Sequence, residues 1–462
     1  MSKPITPSRN GCWNRRDRIR WSLDAVALTA ALLAALAGAP GAQSQSEPKQ
    51  SYDLSAVVRQ ALSTHPSLRS AQAGVDAARA GVRQARAGRL LKVGATGGFM
   101  SLDEDPHFRV PSFGTLYFGG RDSTQTALTA QLPLFTGGRL QGLAGQAKAG
   151  LTASEGANLR QRQRVAYDAT IAYLGARKAQ ELVKVAQAQL EALQSQRDSI
   201  AKMVDRGVSP RLDLLRAETG LAAAQSGLTS ARNGEAVALA ALTTAMGLQA
   251  DPGITLAADP GPDEPSNPGN ASLPPDLKAA VDEAARQRPE LTQASAGVRA
   301  ARSGVKVARS SLLPTVGAFA QYDAARYSTM PKTGLWSAGV TVSMNLFDSG
   351  ATQADVARAK AQVTQAQAAE AELRNGISLE VTQAFLDVGS AKERLTTAQR
   401  GAAAAEEGLR LVQTGYQNGV NTITDFLAAQ AELTQAQTSV ATARHDVSAA
   451  EAGLRFALGR GG

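Results

Sequence analysis

Two aspartates at matching positions are the residues of this sequence whose type and spacing best suit a charged site. Asp213 lies in the segment GVSPRLDLL (207–215), and Asp425 lies at the same place in GVNTITDFL (419–427). If several copies of the chain surround a narrow opening, carboxylates at these positions form a ring that attracts cations and repels anions. The alternative is a solvated acid in the first turn of a helix, where the helix dipole favours negative charge. We favour the ring.

The sequence contains little that could support catalysis or metal binding. Its only cysteine is Cys12, and its only histidines are His65, His107 and His445. It has no glycine-rich phosphate loop and no nucleophile spaced from a base as in an active site. The acidic stretch 103–107 could bind a divalent cation, but we expect it in an exposed loop, where acidic residues are common. We therefore predict no enzymatic activity, no cofactor and no metal site.

The first 42 residues are typical of a secretion signal. Four arginines between Arg15 and Arg20 precede an apolar run of about 13 residues, which suits a signal peptide and is too short to span a bilayer. No later stretch is apolar over the roughly 18 residues that a membrane helix needs, so entry into a membrane would use strands. The net charge of +9 is not clustered with aromatic residues, so we expect no nucleic-acid partner.

The rest of the chain contains two copies of one unit. Pro66 and its surrounding pattern recur around Pro289, and further on LPLFTGG (132–138) matches MNLFDSG (344–350). Repetition on this scale means that one supersecondary unit has been used twice. The predicted divisions are a signal peptide at 1–42, a first repeat at 53–250, a linker at 251–276 and a second repeat at 277–458.

Each copy reads as a helix, a strand, a loop, a strand, a very long helix, a turn and a return helix. The long helices are predicted from 67-residue segments without proline, 139–205 and 351–417. A continuous helix of that length measures about 100 Å. Apolar residues recur every seven positions, which predicts coiled-coil packing. Internal glycines such as Gly142 and Gly376 weaken a helix, so we expect tight packing or a kink there.

The stretch WSAGVTVSMNL (336–346) alternates apolar and polar residues, which predicts a β-strand with one apolar face. The first repeat contains an equivalent strand at 128–134. Shorter alternating runs near 93–100 and 316–322 are predicted to be the strands that pair with these two. Four strands are too few for a closed barrel, so we expect several chains to close one with the apolar face against lipid. A soluble hairpin packed on helices is the alternative. The residues predicted to face lipid are Leu128, Ala130, Leu132, Leu134, Trp336, Ala338, Val340, Val342, Met344 and Leu346.

Together these features resemble the TolC-like outer-membrane efflux proteins, the exit ducts of export machines. The resemblance covers 53–458 and rests on the repeat, the 67-residue helices, the LPLFTGG and MNLFDSG junctions, and the turns RGVSPRLDLL and NGVNTITDFL. It implies a mixed, mainly α fold, in which a long α-helical coiled-coil barrel in the periplasm joins a transmembrane β-barrel with four strands per chain. It also implies a homotrimer in outer-membrane lipid, working with a periplasmic adaptor (membrane fusion) protein and an inner-membrane pump.

The resemblance further implies roles for the turns between the long and return helices. Gly207-Val208 and Gly419-Val420 would be periplasmic tips that dock the adaptor and close the pore at rest. Tyr416 would hydrogen-bond to Asp213 on the neighbouring helix, and breaking that link would let the helix pair swing outwards. The chain departs from the best-known pattern at Asn421, where an arginine is usual. The predicted periplasmic gate consists of Asp213, Asp425 and Tyr416.

These observations predict a passive, gated channel-tunnel that receives drugs or other small toxic molecules from a pump and adaptor. Within the same class, the alternatives are an exit duct for type I protein secretion and one for metal efflux. An alternative of another class is a secreted structural coiled-coil protein. That alternative explains the heptads but not the paired strands with an apolar face.

Overall fold

The computed structural model describes residues 51–117, 120–257, 273–327 and 332–460. The predicted signal peptide lies outside the described residues, and so does most of the predicted linker. The described residues form one structural unit.

Each copy follows the predicted order after its start, but two helices open it where one was predicted. The helices are α1 Leu54–Thr64, α2 Pro66–Ala87, α3 Arg139–Asp205, α4 Arg211–Ala245, α5 Leu277–Gln287, α6 Pro289–Ser310, α7 Ala351–Gln417 and α8 Ile423–Ala457. The strands are β1 Ser51–Tyr52, β2 Lys92–Ser101, β3 His107–Val110, β4 Gly114–Tyr117, β5 Asp122–Phe135, β6 Thr255–Leu256, β7 Thr315–Tyr327 and β8 Thr333–Ser343. None of the helices in the described part of the chain has an apolar segment that would cross a membrane.

The short helices α1 and α5 begin and end for local reasons. Asp53 accepts a hydrogen bond of 2.7 Å from the Ala56 N–H, and Asp276 accepts one of 2.7 Å from the Ala279 N–H, so each caps a helix N-terminus. Each helix then ends just before an X-Pro step, because proline disfavours helical geometry in the residue before it. Pro66 and Pro289 start the next helix, where a missing N–H costs nothing.

The 67-residue helices α3 and α7 run over the predicted ranges. Each follows a glycine in the left-handed region, Gly138 at φ +92° and Gly350 at φ +87°, which turns the chain sharply after a strand segment. Each ends at another such glycine, Gly207 at φ +74° or Gly419 at φ +76°. Because these signals are local, the helix limits could be predicted from the sequence.

Four strands form one antiparallel sheet in the order β2-β5-β7-β8. The two copies are joined at its centre, where β5 pairs with β7. Strands β2 and β8 are therefore the edges of the sheet within this chain. Two smaller pairs complete the strands: β3 with β4, and β1 with β6 in parallel.

The predicted strand 336–346 extends too far at its carboxyl end. β8 ends at Ser343, so Met344 and Leu346 lie beyond the sheet, 50% and 87% exposed. The ladder ends because Ser343 pairs with Thr315, the first residue of β7, and Pro314 before it has no N–H to donate. In β5, Leu134 lies at a bulge between Pro133 and Phe135 and has no partner in the ladder.

The helices pack around two equivalent cores. In copy one, α1, α3 and α4 enclose Val57, Ala169 and Leu242. In copy two, α5, α7 and α8 enclose a matching set that includes Val381 and Leu454.

Tight packing or a kink was predicted at the internal glycines of the long helices, and the structure shows tight packing at Gly142 but not at Gly376. A Cβ at Gly142 would lie 2.6 Å from Val307 Cγ2, so α3 and α6 approach closely there. A Cβ at Gly376 would meet nothing within 4 Å inside the chain, so tight packing does not explain that glycine.

Candidate functional site

The turns at the far ends of the long helices are closed by backbone hydrogen bonds. The Val208 N–H donates to Met203 O at 2.9 Å, and the Val420 N–H donates to Gly415 O at 2.8 Å. This is the Schellman arrangement, in which a left-handed glycine lets the chain satisfy the last helical carbonyls. The two valine side chains point away from the helices and are 71% and 80% exposed. Each predicted tip therefore presents an apolar side chain.

Asp213 and Tyr416 are brought together, but through a serine. The Ser209 hydroxyl donates to Asp213 Oδ2 at 2.9 Å, and the same hydroxyl interacts with the phenol of Tyr416, which by itself lowers the pKa of that phenol. Burial raises the pKa of Tyr416, and the charge of Asp213 adds to the rise. The direct Tyr416–Asp213 bond predicted above is thus replaced by a bridge through Ser209.

Asp425 has a different local role from Asp213, although the two occupy the same position in the repeat. Its carboxylate accepts hydrogen bonds of 2.8 Å from both the N–H and the hydroxyl of Thr422. The Asp425 N–H donates in return to the Thr422 hydroxyl at 3.2 Å, which completes a capping box at the start of α8. The Thr422 backbone hydrogen bond, together with that from its hydroxyl, lowers the pKa of Asp425. Asp425 therefore caps the first turn of α8, as the alternative interpretation expects, and its place in a ring stays a prediction.

The two helical hairpins contact each other next to these residues. Ile200 of α3 and Ile423 and Phe426 of α8 are buried in one cluster, and the ring of Tyr416 lies 6.2 Å from that of Phe426. On the surface, Arg216 Nη1 of α4 donates to Thr424 Oγ1 of α8 at 2.9 Å. The candidate gate thus lies where the hairpins of the two copies are held together. Sequence reasoning missed Ser209, Arg216 and Thr424, because nothing local marks a contact between distant segments.

The ladder register brings most of the predicted lipid-facing residues onto one face. Three rows of paired residues cross strands β5, β7 and β8 on this face. The rows are Leu128–Tyr322–Trp336, Ala130–Ala320–Ala338 and Leu132–Ala318–Val340. The rings of Tyr322 and Trp336 lie 4.8 Å apart. Trp336, Val340 and Val342 are 68%, 62% and 66% exposed, so this face is not packed on the helices.

A buried ion network joins four helices and was not predicted. Arg288, between α5 and α6, is only 2% exposed, and its guanidinium pairs with Glu290 at 2.7 Å and Glu380 at 2.5 Å. Arg288 Nε also donates to Ala457 O at 2.7 Å, at the end of α8. Arg160 of α3 pairs with the same Glu290 at 2.7 Å, and burial lowers the pKa of Arg160. The only signal in the sequence was that Arg288 precedes a proline, as His65 does in copy one.

The other candidate residues have structural partners. His65 accepts from the Ser67 N–H and caps α2, and His445 lies 2.8 Å from Glu181 across the α3–α8 contact. His107 in the acidic stretch contacts Asp105 O at 3.0 Å. Within the described ranges, no three histidine, cysteine or acidic side chains are grouped so as to hold a metal ion.

The amino-acid sequence is similar to those of known outer-membrane proteins. A family model described as "Outer membrane efflux protein" matches residues 57–248 and 280–460. Outer membrane efflux protein BepC of Brucella suis biovar 1 is 26% identical over 303 residues, which cover 64% of this chain and 64% of BepC. Protein CyaE of Bordetella pertussis is 32% identical over 190 residues, which cover 40% of this chain and 39% of CyaE. The chain thus spans less than two thirds of either relative.

Solved structures share the fold over more of the chain. The crystal structure of a membrane protein from Pseudomonas aeruginosa superposes with a TM-score of 0.75 at 21% identity, covering 88% of this chain and 90% of that one. At this level of identity the likeness is evidence for the fold alone.

Proposed function

Because this chain belongs to the outer membrane efflux protein family, we propose that it is the outer-membrane channel-tunnel of a tripartite export system. The chain is located in the outer membrane, and its helical part lies in the periplasm. Both the fold and the family are those of channel proteins. In the proposed role the protein conducts cargo passively, and an inner-membrane pump coupled through a periplasmic adaptor supplies the energy.

The observation that carries this proposal is the exposed apolar face of the four-stranded sheet. Trp336, Val340 and Val342 present large apolar side chains, and β2 and β8 are edges with unpaired backbone groups. In water such a face and such edges favour aggregation. Against lipid the same face is favourable, and the edges are satisfied when neighbouring chains pair along them.

The proposed assembly is a homotrimer. One chain supplies four strands to the sheet, and three chains supply twelve, enough to close a barrel. The same symmetry would arrange the long helices of three chains around one axis. Each 67-residue helix is about 100 Å long, so the turns at Val208 and Val420 would lie deep in the periplasm. Their exposed valines are the surface that we assign to the adaptor.

We place the periplasmic gate at Asp213, Asp425 and Tyr416. The link Tyr416–Ser209–Asp213 joins the turn of copy one to the end of α7, and the contact of Arg216 with Thr424 joins the return helices. Release of these contacts would let one hairpin move relative to the other. In a trimer the two aspartates would also contribute six carboxylates near the opening, which favours cations there.

The proposed cargo is drugs or other small toxic molecules, with secreted proteins or metal ions as alternatives. For the chain itself, we propose removal of residues 1–42 as a signal peptide, followed by repeats at 53–250 and 277–458 around a linker at 251–276. Amino-terminal sequencing of the mature protein tests the first of these boundaries.

The test of the proposed function is the native mass of the protein extracted in detergent from outer membranes. We expect three chains per particle. Val340→Arg and Val342→Arg place a charge on the lipid face and should prevent assembly, with a cost of about 2–4 kcal/mol each near the membrane centre. Ser337→Arg is the matched control, because it puts the same side chain on the opposite, polar face of β8 and should assemble normally.

A monomer released into the periplasm or medium would overturn the proposal. So would normal assembly of the Val340→Arg protein. Either result would favour the alternative of a secreted structural coiled-coil protein, in which the strands do not contact a membrane.

A further inference from the structure

A recess of about 750 Å³ lies between the polar face of the sheet and the helix ends beside it. It is bordered by the end of α2, the first turn of α3 and the strands β2, β5, β7 and β8. The register places Lys92, Gln131 and Phe319 side by side across three strands, with Thr129 and Gln321 in a neighbouring row. Alternate residues of a strand point to opposite faces, so Lys92, Gln131 and Phe319 lie on the face opposite the lipid-facing residues, although Ala130 and Leu132 also border the recess.

The recess is positively charged. Among the described residues, Lys92 and Arg139 are the only ionisable ones that line it, and no carboxylate does. The nearest acid along the same face of β7 is Asp323, whose two carboxylate oxygens accept from the Gln321 amide at 2.7 and 2.8 Å. Arg139 is also the first residue of α3, where the helix dipole adds positive partial charge. An anion is therefore the ion that this recess favours.

The recess also offers a flat apolar surface. A Cβ at Gly339 would lie 3.1 Å from Phe319 Cε1, so the phenyl ring lies across β8 at a position that glycine leaves open. The ring is 37% exposed and belongs to the same row as Lys92. Aromatic rings stack on one another with a gain of about 0.5–1.5 kcal/mol beyond area burial.

The two cationic residues of the recess have no charged counterpart in copy two. The residues at the matching positions of copy two are Thr315 for Lys92 and Ala351 for Arg139, both uncharged. Most of the recess lies on β5 and β7, the central strands, so pairing of neighbouring chains along β2 and β8 would leave it open. A trimer would carry three such recesses on the inner face of the barrel.

We propose that this recess binds organic anions that carry a flat apolar ring, such as aryl carboxylates, as they leave the tunnel. Lys92 and Arg139 hold the carboxylate, and the ring of the anion stacks on Phe319. Binding is weak, because a conducting channel must release what it binds. This inference rests on the proposed function and names a cargo class for it.

The experiment measures binding of 2-naphthoate to the purified full-length protein in lipid nanodiscs by saturation-transfer NMR. Lys92→Gln combined with Arg139→Gln should weaken binding about tenfold, since each removes a charged hydrogen-bond donor. Lys92→Gln alone, on an exposed strand, should weaken it about threefold and serves if the double variant does not fold. Lys306→Gln is the matched control: it removes a charge from α6 outside the recess and should bind like the unchanged protein.

A cationic probe with the same ring, a naphthylmethyl trimethylammonium ion, should bind at least tenfold more weakly than 2-naphthoate. Equal binding of the two probes, or equal binding of 2-naphthoate to all variants, would overturn the assignment. Conductance of the same preparation in planar bilayers separates the two proposals. If the protein conducts but shows no charge-dependent binding, only the proposed anion site is refuted. If it binds in this way but does not conduct, only the proposed channel function is refuted.

Discussion

Ser209 donates a hydrogen bond of 2.9 Å to Asp213, and Tyr416 is connected to that carboxylate through this serine. The serine lies in the turn of copy one, and the tyrosine lies near the end of the long helix of copy two. This hydroxyl is therefore one of the contacts between the two hairpins at the candidate gate. Its removal should have the same effect as removal of the phenol.

The first prediction concerns this bridge. Ser209→Ala and Tyr416→Phe should each raise the open probability of the channel in planar bilayers, and by similar factors. Because both act on one link, the double variant should open no more than either single variant. Ser226→Ala, an exposed serine on α4, is the control and should leave gating unchanged. Additive effects, or unchanged conductance in an Asp213→Ala, Tyr416→Phe protein, would contradict the bridge.

A second prediction concerns the capping box at the start of α8. The pKa of Asp425 is lowered in the folded protein, so its ionised form stabilises the fold above the ordinary value of 3.8, and this contribution is lost as pH falls through the folded value. The midpoint of thermal unfolding should therefore fall less between about pH 5 and pH 3 in Asp425→Asn than in the unchanged protein. Thr422→Ala removes the hydroxyl donor but keeps the backbone N–H of residue 422, so its fall should lie between those of the other two proteins. Identical pH profiles in all three proteins would refute this role.

A third prediction uses two glycines of the long helices. Gly142→Ala should destabilise the protein by about 1–3 kcal/mol, because the new methyl group has no room against Val307 and the α6 backbone. Gly376→Ala should be neutral or stabilise by up to about 1 kcal/mol, since alanine favours a helix and meets nothing in the chain. Thermal or denaturant unfolding in detergent measures both. A destabilised Gly376→Ala protein would mean that another chain packs on α7 at that point.

A fourth prediction concerns the buried ion network. Arg288→Ala should destabilise the protein by about 1–3 kcal/mol, because the Ala457 carbonyl loses its buried donor and Glu290 keeps only Arg160 as a partner. Arg358→Ala, which removes an exposed arginine paired with Asp355 one helical turn away, should cost less than about 1 kcal/mol. Equal losses of unfolding free energy in the two variants would show that burial of Arg288 has no energetic role.

Several elements were predicted because their causes are local. The limits of α3 and α7 follow from glycines that adopt positive φ and from the absence of proline between them. The face of β8 follows from strict alternation, and the register confirmed it for Trp336 to Val342. The carboxyl end of that strand was predicted wrongly, because a strand ends where its partner ends. The partner begins at Thr315 after a proline, and nothing in WSAGVTVSMNL shows this.

The sequence by itself determined the two-fold repeat, the lengths of the long helices and the apolar face of the sheet, because each depends on periodicity or on residues next to one another. Only the tertiary structure decided that β5 pairs with β7, that Ser209 stands between Tyr416 and Asp213, and that Arg288 is buried between two glutamates. These contacts join residues far apart in the chain. Their geometry is set by how the helices and strands pack, and no local pattern carries that information.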